Sequence, residues 1–412
     1  MATEPKKYAY TTLITRASYL AGVVILAHTL KKQGSQYPLI VYYTPNLKAE
    51  ALHVLELETS NLNIILRQTE QLLPPKHIQV NLIAERFRDT WTKLRVFDVF
   101  DYDAVCYLDA DMAIFRNMDE VFAREADLPP EWIAANHACV CNLDHDPWAP
   151  EDWTVEHCAY TPLTHPTALT EPTQATPESR PTYHLLNSGM FLYHPSKELW
   201  DRMLQFFNSS ARLGTYKFPD QDFFADFFRN RWRGLGWQYN ALKTMRYWHP
   251  NVWRDDSVVC LHYIVDKPWA ARVTADGVAG YKGRDGTTHQ WWWDAYAEWE
   301  KERKADGSEE VLSTVRKHVA MEDGSETTDP DMQAIGGKVQ ALAHTKVPDE
   351  NTKPADGSTT AGAEETAGKD EAGADDANST PQAGGPVPRR KVLGERGHGP
   401  VVKANGSSKM LP

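Results

Sequence analysis

The chain has 412 residues, 42% hydrophobic and 24% charged, enough to bury one large or two ordinary cores. Its formal net charge is −12, and no basic excess falls on the apolar-rich part, which argues against nucleic-acid binding as the business of the core. All 14 Trp, 17 Tyr and 13 Phe precede residue 300, whereas residues 321–386 carry 14 Asp/Glu against 4 Lys and residues 387–412 carry 6 Lys/Arg against one Glu. Segments of that composition cannot bury enough apolar surface to offset their ordering entropy. The expected organisation is one folded domain over 1–304, a short helix within 305–324 and a disordered acidic-then-basic tail over 325–412.

The apolar run Tyr19–Leu30 is interrupted by Gly22 and His28 and is far shorter than the roughly 20 residues that span a bilayer, so no membrane association is expected. The opening Met-Ala-Thr-Glu-Pro-Lys-Lys passes straight into a strand-like segment, without the charged start and cleavage site of a secretory signal. Five cysteines, an odd number, fit reduced thiols better than a disulfide framework. Both features point to a cytoplasmic protein.

In chain order, Ala9–Thr15 reads as a strand and Tyr19–Gln33 as a helix stopped by Gly34. Leu39–Tyr43 is a continuous apolar run of the buried parallel kind, Leu47–Leu57 a helix and Leu62–Leu66 a third strand. An apolar helix over Trp91–Phe100 feeds another buried strand, Ala104–Leu108. Such alternation implies an α/β fold with a mostly parallel sheet, whose ligands bind at the carboxyl ends of the strands. Farther on, strands fit Trp132–Ala135, Gly189–Tyr193 and Val258–Tyr263, and helices fit Lys197–Phe207 and Asp220–Arg229. Between them residues 144–183 form a Pro/Thr-rich stretch, long enough to suggest a lid or substrate-facing excursion. Trp292, Tyr296 and Trp299 share one face of a final helix, as docking on a core requires.

The most informative feature is Asp109-Ala110-Asp111 at the end of the Ala104–Leu108 strand. Two carboxylates entering one crevice repel unless a cation sits between them, and carboxylate oxygens suit hard ions such as Mg²⁺ or Mn²⁺ that also take substrate phosphate oxygens. D-x-D alone is a weak pattern; its place after a central strand strengthens it.

Four separated motifs, Asp109-Ala-Asp111, Asn187-Ser-Gly189, Asp220-Gln221-Asp222 and His262…Lys267-Pro-Trp269, follow in the order and approximate spacing of glycosyltransferase family 8, the group that contains glycogenin and galactinol synthase. The chain resembles this family from about Tyr8 to Trp269. The resemblance implies a GT-A (Rossmann-like) catalytic domain, a UDP-sugar donor, Mn²⁺ with Mg²⁺ as the alternative, and retention of anomeric configuration. On that reading Asp109, Asp111 and His262 ligate the metal. Leu13, Thr15, Tyr19, Lys93, Ala110, Lys267 and either Arg86 or Arg88 contact the donor. Asn187, Ser188, Gly189 and Asn240 face the acceptor, and Asp220 and Gln221 lie beside the anomeric carbon as the catalytic pair. From residue types alone, Asp220 and Gln221 serve equally well as a helix N-cap pair, Tyr19 as core, and His262 as a structural histidine.

The match departs from glycogenin. His262-Tyr-Ile-Val-Asp-Lys267 lacks the glycine found there and is one residue shorter, and Asp222 replaces the glycine after Asp-Gln. Gln221-Asp-Phe223, Tyr239-Asn240 and His249-Pro250 follow the galactinol synthase pattern, although Tyr247 falls where glycogenin carries its self-glucosylated tyrosine. His137, Cys139, Cys141, His145, His157 and Cys158 are soft ligands close in sequence, but their spacing matches no standard zinc pattern, and they read as reduced, unligated side chains.

The reading is a metal-dependent retaining hexosyltransferase that moves galactose or glucose from a UDP-sugar to a small polyol or saccharide, with homodimeric assembly left open. A glycogenin-like self-glucosylating primer and a catalytically silent UDP-sugar-binding scaffold are the alternatives.

Overall fold

Three of the apolar runs form adjacent parallel strands, β1 (Tyr8–Ile14), β2 (Leu39–Tyr43) and β3 (Ile64–Gln68), and β4 (Ala104–Leu108) adds in parallel to the other edge of β1. The computed structural model describes residues 5–78, 89–145, 149–322 and 332. Arg86, Arg88 and, apart from Met332, the stretch 325–412 lie outside the described residues. Beyond β4 come β5 (Met112–Ile114), β6 (Ile133–His137), β7 (Leu186–Tyr193), β8 (Trp232–Gly234), β9 (Ala241–Leu242) and β10 (Cys260–His262). The large sheet runs β3-β2-β1-β4-β7-β6-β8, with β7 antiparallel to both neighbours and every other pairing parallel. A small sheet, β5-β10-β9, stands beside it. Helices are α1 (Leu20–Lys32), α2 (Ala49–Leu62), α3 (Lys197–Ser209), α4 (Pro219–Phe227), α5 (Met245–Trp248), α6 (Gly286–Ala305) and α7 (Glu309–Arg316).

Successive strand residues point to opposite faces, so each central strand supplies two cores. Tyr10, Cys106, Leu108, Met190 and Leu192 join the core beneath α1, α2 and α6. Ala9, Val105, Tyr107, Phe191 and Tyr193 join an aromatic core with Trp91 and Phe97 and with Phe207, Phe223 and Phe224 of α3 and α4. Helix α1 is buried at every residue from Leu20 to Leu30, which is why its sequence is apolar all round. Gly22 makes that packing achievable, because a Cβ there would stand 2.4 Å from the carbonyl oxygen of Ala110 and 2.7 Å from the Trp269 ring. The α6 aromatics dock as their spacing implied. Trp292 and Trp299 are fully buried, and the Trp299 indole N–H donates to Glu58, which also pairs with Arg303 at 3.0 Å.

Residues 90–98 form a 3-10 helix where the sequence suggested an ordinary one. The apolar residues Trp91, Leu94 and Phe97 recur every third position, and at three residues per turn that places them on a single face. Strands β5, β8 and β9 and helix α5 were not read from the sequence; with two to four residues each they carry no periodic signal. The 144–183 excursion, described from residue 149 onward apart from its first two residues, holds short 3-10 turns at 155–157, 167–169 and 181–184. It is pinned from outside: the Asn251 side-chain amide donates to the carbonyls of Tyr160 and Leu163, and Gln238 donates to that of Leu169.

Candidate functional site

Leaving β4, the chain turns between the two sheets. The Asp109 N–H donates to the Gly189 carbonyl of β7 at 2.8 Å, and the Asp111 carbonyl accepts from the Tyr263 N–H at 2.9 Å, just past β10. These two bonds set Asp109 and Asp111 opposite His262, the last residue of β10. One ligand atom from each of the three lies within 4.8 Å of the others. His262 Nε2 is 3.3 Å from an Asp111 oxygen and 3.8 Å from an Asp109 oxygen. Gly189 leaves room for the imidazole, since a Cβ there would fall 2.3 Å from His262 Cε1.

The protonation of this histidine follows from a chain of bonds anchored on the backbone. The Gly189 N–H donates to Asn187 Oδ1 at 3.0 Å, so that atom is the oxygen. Asn240 therefore turns its NH₂ to the same oxygen, at 2.8 Å, and its own Oδ1 to His262 Nδ1, at 2.9 Å. An amide oxygen only accepts, so Nδ1 carries a proton, and in the neutral ring the lone pair then sits on Nε2, the nitrogen that faces the carboxylates. That is the ligating tautomer, held by an outer partner as metal-binding histidines are. The far side of Asn187 donates to Gln221 Oε1 at 3.3 Å, so the same chain also orients the Gln221 amide.

A second chain joins Asp220 to Asp109. Lys93 Nζ lies 2.5 Å from Asp220, 2.9 Å from Asp109 and 3.3 Å from the Ser188 carbonyl, over the face of Tyr107. Ser188 Oγ donates to Asp220 at 2.8 Å, and the Tyr107 hydroxyl donates to Asp109 at 2.7 Å. Lys267 pairs with Asp111 and donates to the Tyr263 carbonyl at 3.0 Å. Burial pushes the Asp109 carboxyl up. Burial acts on Asp111 in the same sense, but the Lys267 ammonium beside it outweighs that and holds it well below the usual carboxylate range. Three carboxylates against two ammonium groups and a neutral imidazole leave an excess of one negative charge. A donor set of carboxylate oxygens and one imidazole nitrogen, with that excess, fits a divalent cation, which would turn the site net positive before an anionic substrate arrives.

Asp220 occupies the first turn of α4, but the helix entry is closed by Asp222, whose carboxylate accepts from the Lys217 and Phe218 N–H groups at 2.8 and 3.0 Å. Asp220 is thereby released from capping and turned to Lys93 and Ser188. Leu13 and Thr15 are half-buried at the carboxyl end of β1, and Tyr19 packs edge-on against Trp269, with ring centroids 5.7 Å apart. Ala110 is buried between the two acids against Gly22. Arg86 lies outside the described residues.

Sequence reasoning missed two supporting groups. Tyr107 was read only as strand core, although its position two residues before Asp109 puts its hydroxyl on that carboxylate. The other is a buried polar knot in which Lys243 pairs with Asp285 and Asp266 and lies 3.3 Å from His289 Nε2. It braces the turn from His262 to Lys267, since the Lys243 N–H donates to the His262 carbonyl. No local motif marks it, because Asp266, Asp285 and His289 lie 23, 42 and 46 positions beyond Lys243 in the chain. In the turn itself, which lacks the glycine found in glycogenin, Val265 takes a positive φ of 65°.

Among curated proteins, galactinol synthase 4 of Arabidopsis thaliana is 27% identical over 319 residues, covering 76% of this chain and 88% of its own. Galactinol synthase 2 of Solanum lycopersicum is 30% identical over 267 residues, covering 63% of this chain and 72% of its own. Among solved structures, the glycosyltransferase GlyE of Streptococcus pneumoniae aligns with 78% of this chain and 66% of its own at 15% identity and a TM-score of 0.45, too distant to bear on the site. The profile of Glycosyl transferase family 8 matches residues 11–272, a stretch holding all four motifs and, apart from the first three residues of β1, both sheets, so the chain is a glycosyltransferase that belongs to family 8, on the galactinol synthase-like branch and with the family's GT-A fold.

Proposed function

We propose that the protein is a metal-dependent, retaining hexosyltransferase that moves galactose or glucose from a UDP-sugar to a small polyol or saccharide, in the cytoplasm. The observation that carries this reading is the convergence of Asp109, Asp111 and a His262 held in its ligating tautomer. Mn²⁺ is the ion proposed, since one imidazole among carboxylates favours it over Mg²⁺. When bound it supplies a Lewis acid that grips the donor diphosphate and offsets charge on the departing UDP. The similarity to galactinol synthases supports the acceptor class. No helix among the described residues is long and apolar enough to cross a membrane.

The chain's own groups divide the work around the anomeric carbon. Lys267, placed beside Asp111, is within the same cluster and adds positive charge for the diphosphate. One Asp220 oxygen is engaged by both Lys93 and Ser188, which fixes the carboxylate in place for electrostatic support of an oxocarbenium-like centre. Gln221 is aimed by Asn187. Retention then proceeds by front-face exchange: the bond from the anomeric carbon to the phosphate oxygen breaks, the bond to the acceptor oxygen forms on the same face, and the acceptor proton passes to the departing phosphate. Leu13, Thr15 and Tyr19 line the base and ribose end, while Asn187, Ser188, Gly189 and Asn240 border the acceptor.

The primer alternative is disfavoured at Tyr247, whose hydroxyl donates to Asp285 at 3.4 Å and whose ring lies under Arg284. A UDP-release screen across UDP-sugars and acceptors, myo-inositol among them, with EDTA and Mn²⁺ controls, tests the proposal. UDP release that needs both metal and a small acceptor supports it. A ladder of hexose additions on the intact protein would sink the acceptor assignment, and UDP binding without turnover for any pair would favour the silent scaffold.

A further inference from the structure

A second group of ligand atoms converges away from the first. Cys139 and Cys141 follow β6, Cys158 follows the 155–157 turn of the excursion, and His249 follows α5. Cys139 Sγ and Cys141 Sγ each lie 3.3 Å from His249 Nε2, Cys158 Sγ lies 3.5 Å from it, and the sulfurs of Cys139 and Cys158 are 4.0 Å apart. All four ligand atoms fall within 4.8 Å of one another, and His249 is 1% exposed.

Hydrogen bonding does not account for this convergence. An imidazole nitrogen has one lone pair or one proton, so it can serve one thiol well, not three. A disulfide does not account for it either, because all the cysteines are free and a histidine has no place in one. A tetrahedral zinc site accounts for every distance. Zn–S bonds of about 2.3 Å and a Zn–N bond of about 2.05 Å set edges of about 3.8 Å between sulfurs and about 3.6 Å between sulfur and nitrogen. The observed sulfur–nitrogen separations fall about 0.1–0.3 Å short of that ideal and the Cys139–Cys158 sulfur separation about 0.2 Å beyond it, within the reach of small side-chain adjustments.

We propose that Cys139, Cys141, Cys158 and His249 form a closed structural Cys₃His zinc site that fastens the excursion to the strand before it and to the segment after β9. Binding displaces the three thiol protons to solvent and exchanges no electrons. The site leaves no open position for substrate, as structural zinc sites do, and it ties together residues up to 110 positions apart, constraining the unfolded chain accordingly. The neighbouring histidines are occupied elsewhere: His137 Nε2 bonds to the Thr173 carbonyl and His157 Nδ1 to the Asp152 carbonyl. The sequence spacing concealed the site because the fourth ligand comes from beyond β9.

The full chain, purified without added metal and dialysed against EDTA, should hold about one zinc per chain by mass spectrometric metal analysis. Asp111→Asn and Cys106→Ala should keep that zinc, whereas Cys141→Ser and His249→Ala should lose most of it. Should the ligand variants fail to fold, titrating the wild-type protein with an organomercurial while a chromogenic chelator reads free zinc gives the same answer: zinc release in step with three thiols. Cobalt grown into the protein should show thiolate-to-metal charge transfer and the strong visible bands of a tetrahedral ion. A folded, zinc-free protein whose thiols react without metal release, zinc that leaves with Asp111→Asn instead, or a Cys139–Cys158 disulfide in the purified chain would each overturn the proposal.

Discussion

Replacing Asn240 with alanine removes the only side chain that bridges His262 and Asn187 among the described residues, without touching a proposed metal ligand. The imidazole Nδ1–H loses its 2.9 Å acceptor, and nothing then prevents the proton from moving to Nε2, the atom that faces the carboxylates. Loss of an outer partner of this kind weakens metal binding by about 10–100-fold, which corresponds to about 1.4–2.8 kcal/mol. Mn²⁺ affinity, read from the electron paramagnetic resonance signal of the free ion, should fall by that factor. Raising Mn²⁺ should recover part of the lost turnover, because the ligands themselves remain, and the deficit left at saturating Mn²⁺ belongs to the acceptor side that Asn240 borders. The assay does not depend on knowing the acceptor. A folded Asn240→Ala protein that binds Mn²⁺ as tightly as wild type would refute the argument that Asn240 sets the tautomer.

Asp111→Asn should lower activity by a larger factor, with a barrier increase of about 3 kcal/mol or more, and no Mn²⁺ concentration should restore it fully; near wild-type transfer would contradict the clamp. Asp220→Ala should cut turnover at least about 100-fold with UDP affinity little changed, since Lys93 keeps Asp109 as a partner at 2.9 Å; calorimetry showing UDP binding lost while turnover survives would reject its placement. His289 is buried and its Nε2 accepts from Lys243, so burial together with Lys243 and Lys267 holds its pKa far below the ordinary value, with Asp285 at 3.9 Å opposing them. A base that stays neutral when folded but takes a proton near pH 6.5 when unfolded loses stability as pH falls, by about 2 kcal/mol between pH 7 and pH 5. Urea unfolding of His289→Gln should lack that component, and parallel curves for the two proteins would show that His289 contributes nothing there. Val265→Gly relieves a left-handed conformation worth roughly 1–2 kcal/mol, offset in part by about 0.5–1 kcal/mol for glycine's freedom in the unfolded chain; the variant should melt no lower than wild type, and a clear drop would mean that the valine side chain earns its place in the turn.

Much of the architecture was legible before any coordinates. β1, β2 and β4 are short, largely apolar runs bounded by polar residues, and a parallel strand covered on both faces can hardly look otherwise, whereas β3 at the sheet edge leaves Ile65 and Gln68 exposed. The Trp292, Tyr296 and Trp299 stripe announced its docking for the same reason. Asp109 and Asp111 stood out because two acids directly after a buried strand are costly without a purpose. The 3-10 geometry of residues 90–98 is present in the spacing of three between Trp91, Leu94 and Phe97, a pattern that an apolar helix of either kind can carry.

What the tertiary structure alone decided is which polar atoms meet. Local sequence offered Asp220 and Gln221 as a helix N-cap pair; the position of Lys93, more than a hundred residues upstream, gives Asp220 a buried cation instead, and Asp222 takes the backbone at the helix entry. The tautomer of His262 depends on Asn240, which depends on Asn187, which depends on one backbone N–H of β7, and no window of sequence contains all four. Cys139, Cys141 and Cys158 looked unpaired until the fold delivered His249 to them. The sequence by itself determined where apolar surface had to go, because hydrophobic burial is nondirectional and depends on local pattern. Hydrogen bonds and metal ligation need particular atoms at particular angles, and those arise only when distant segments have been brought together.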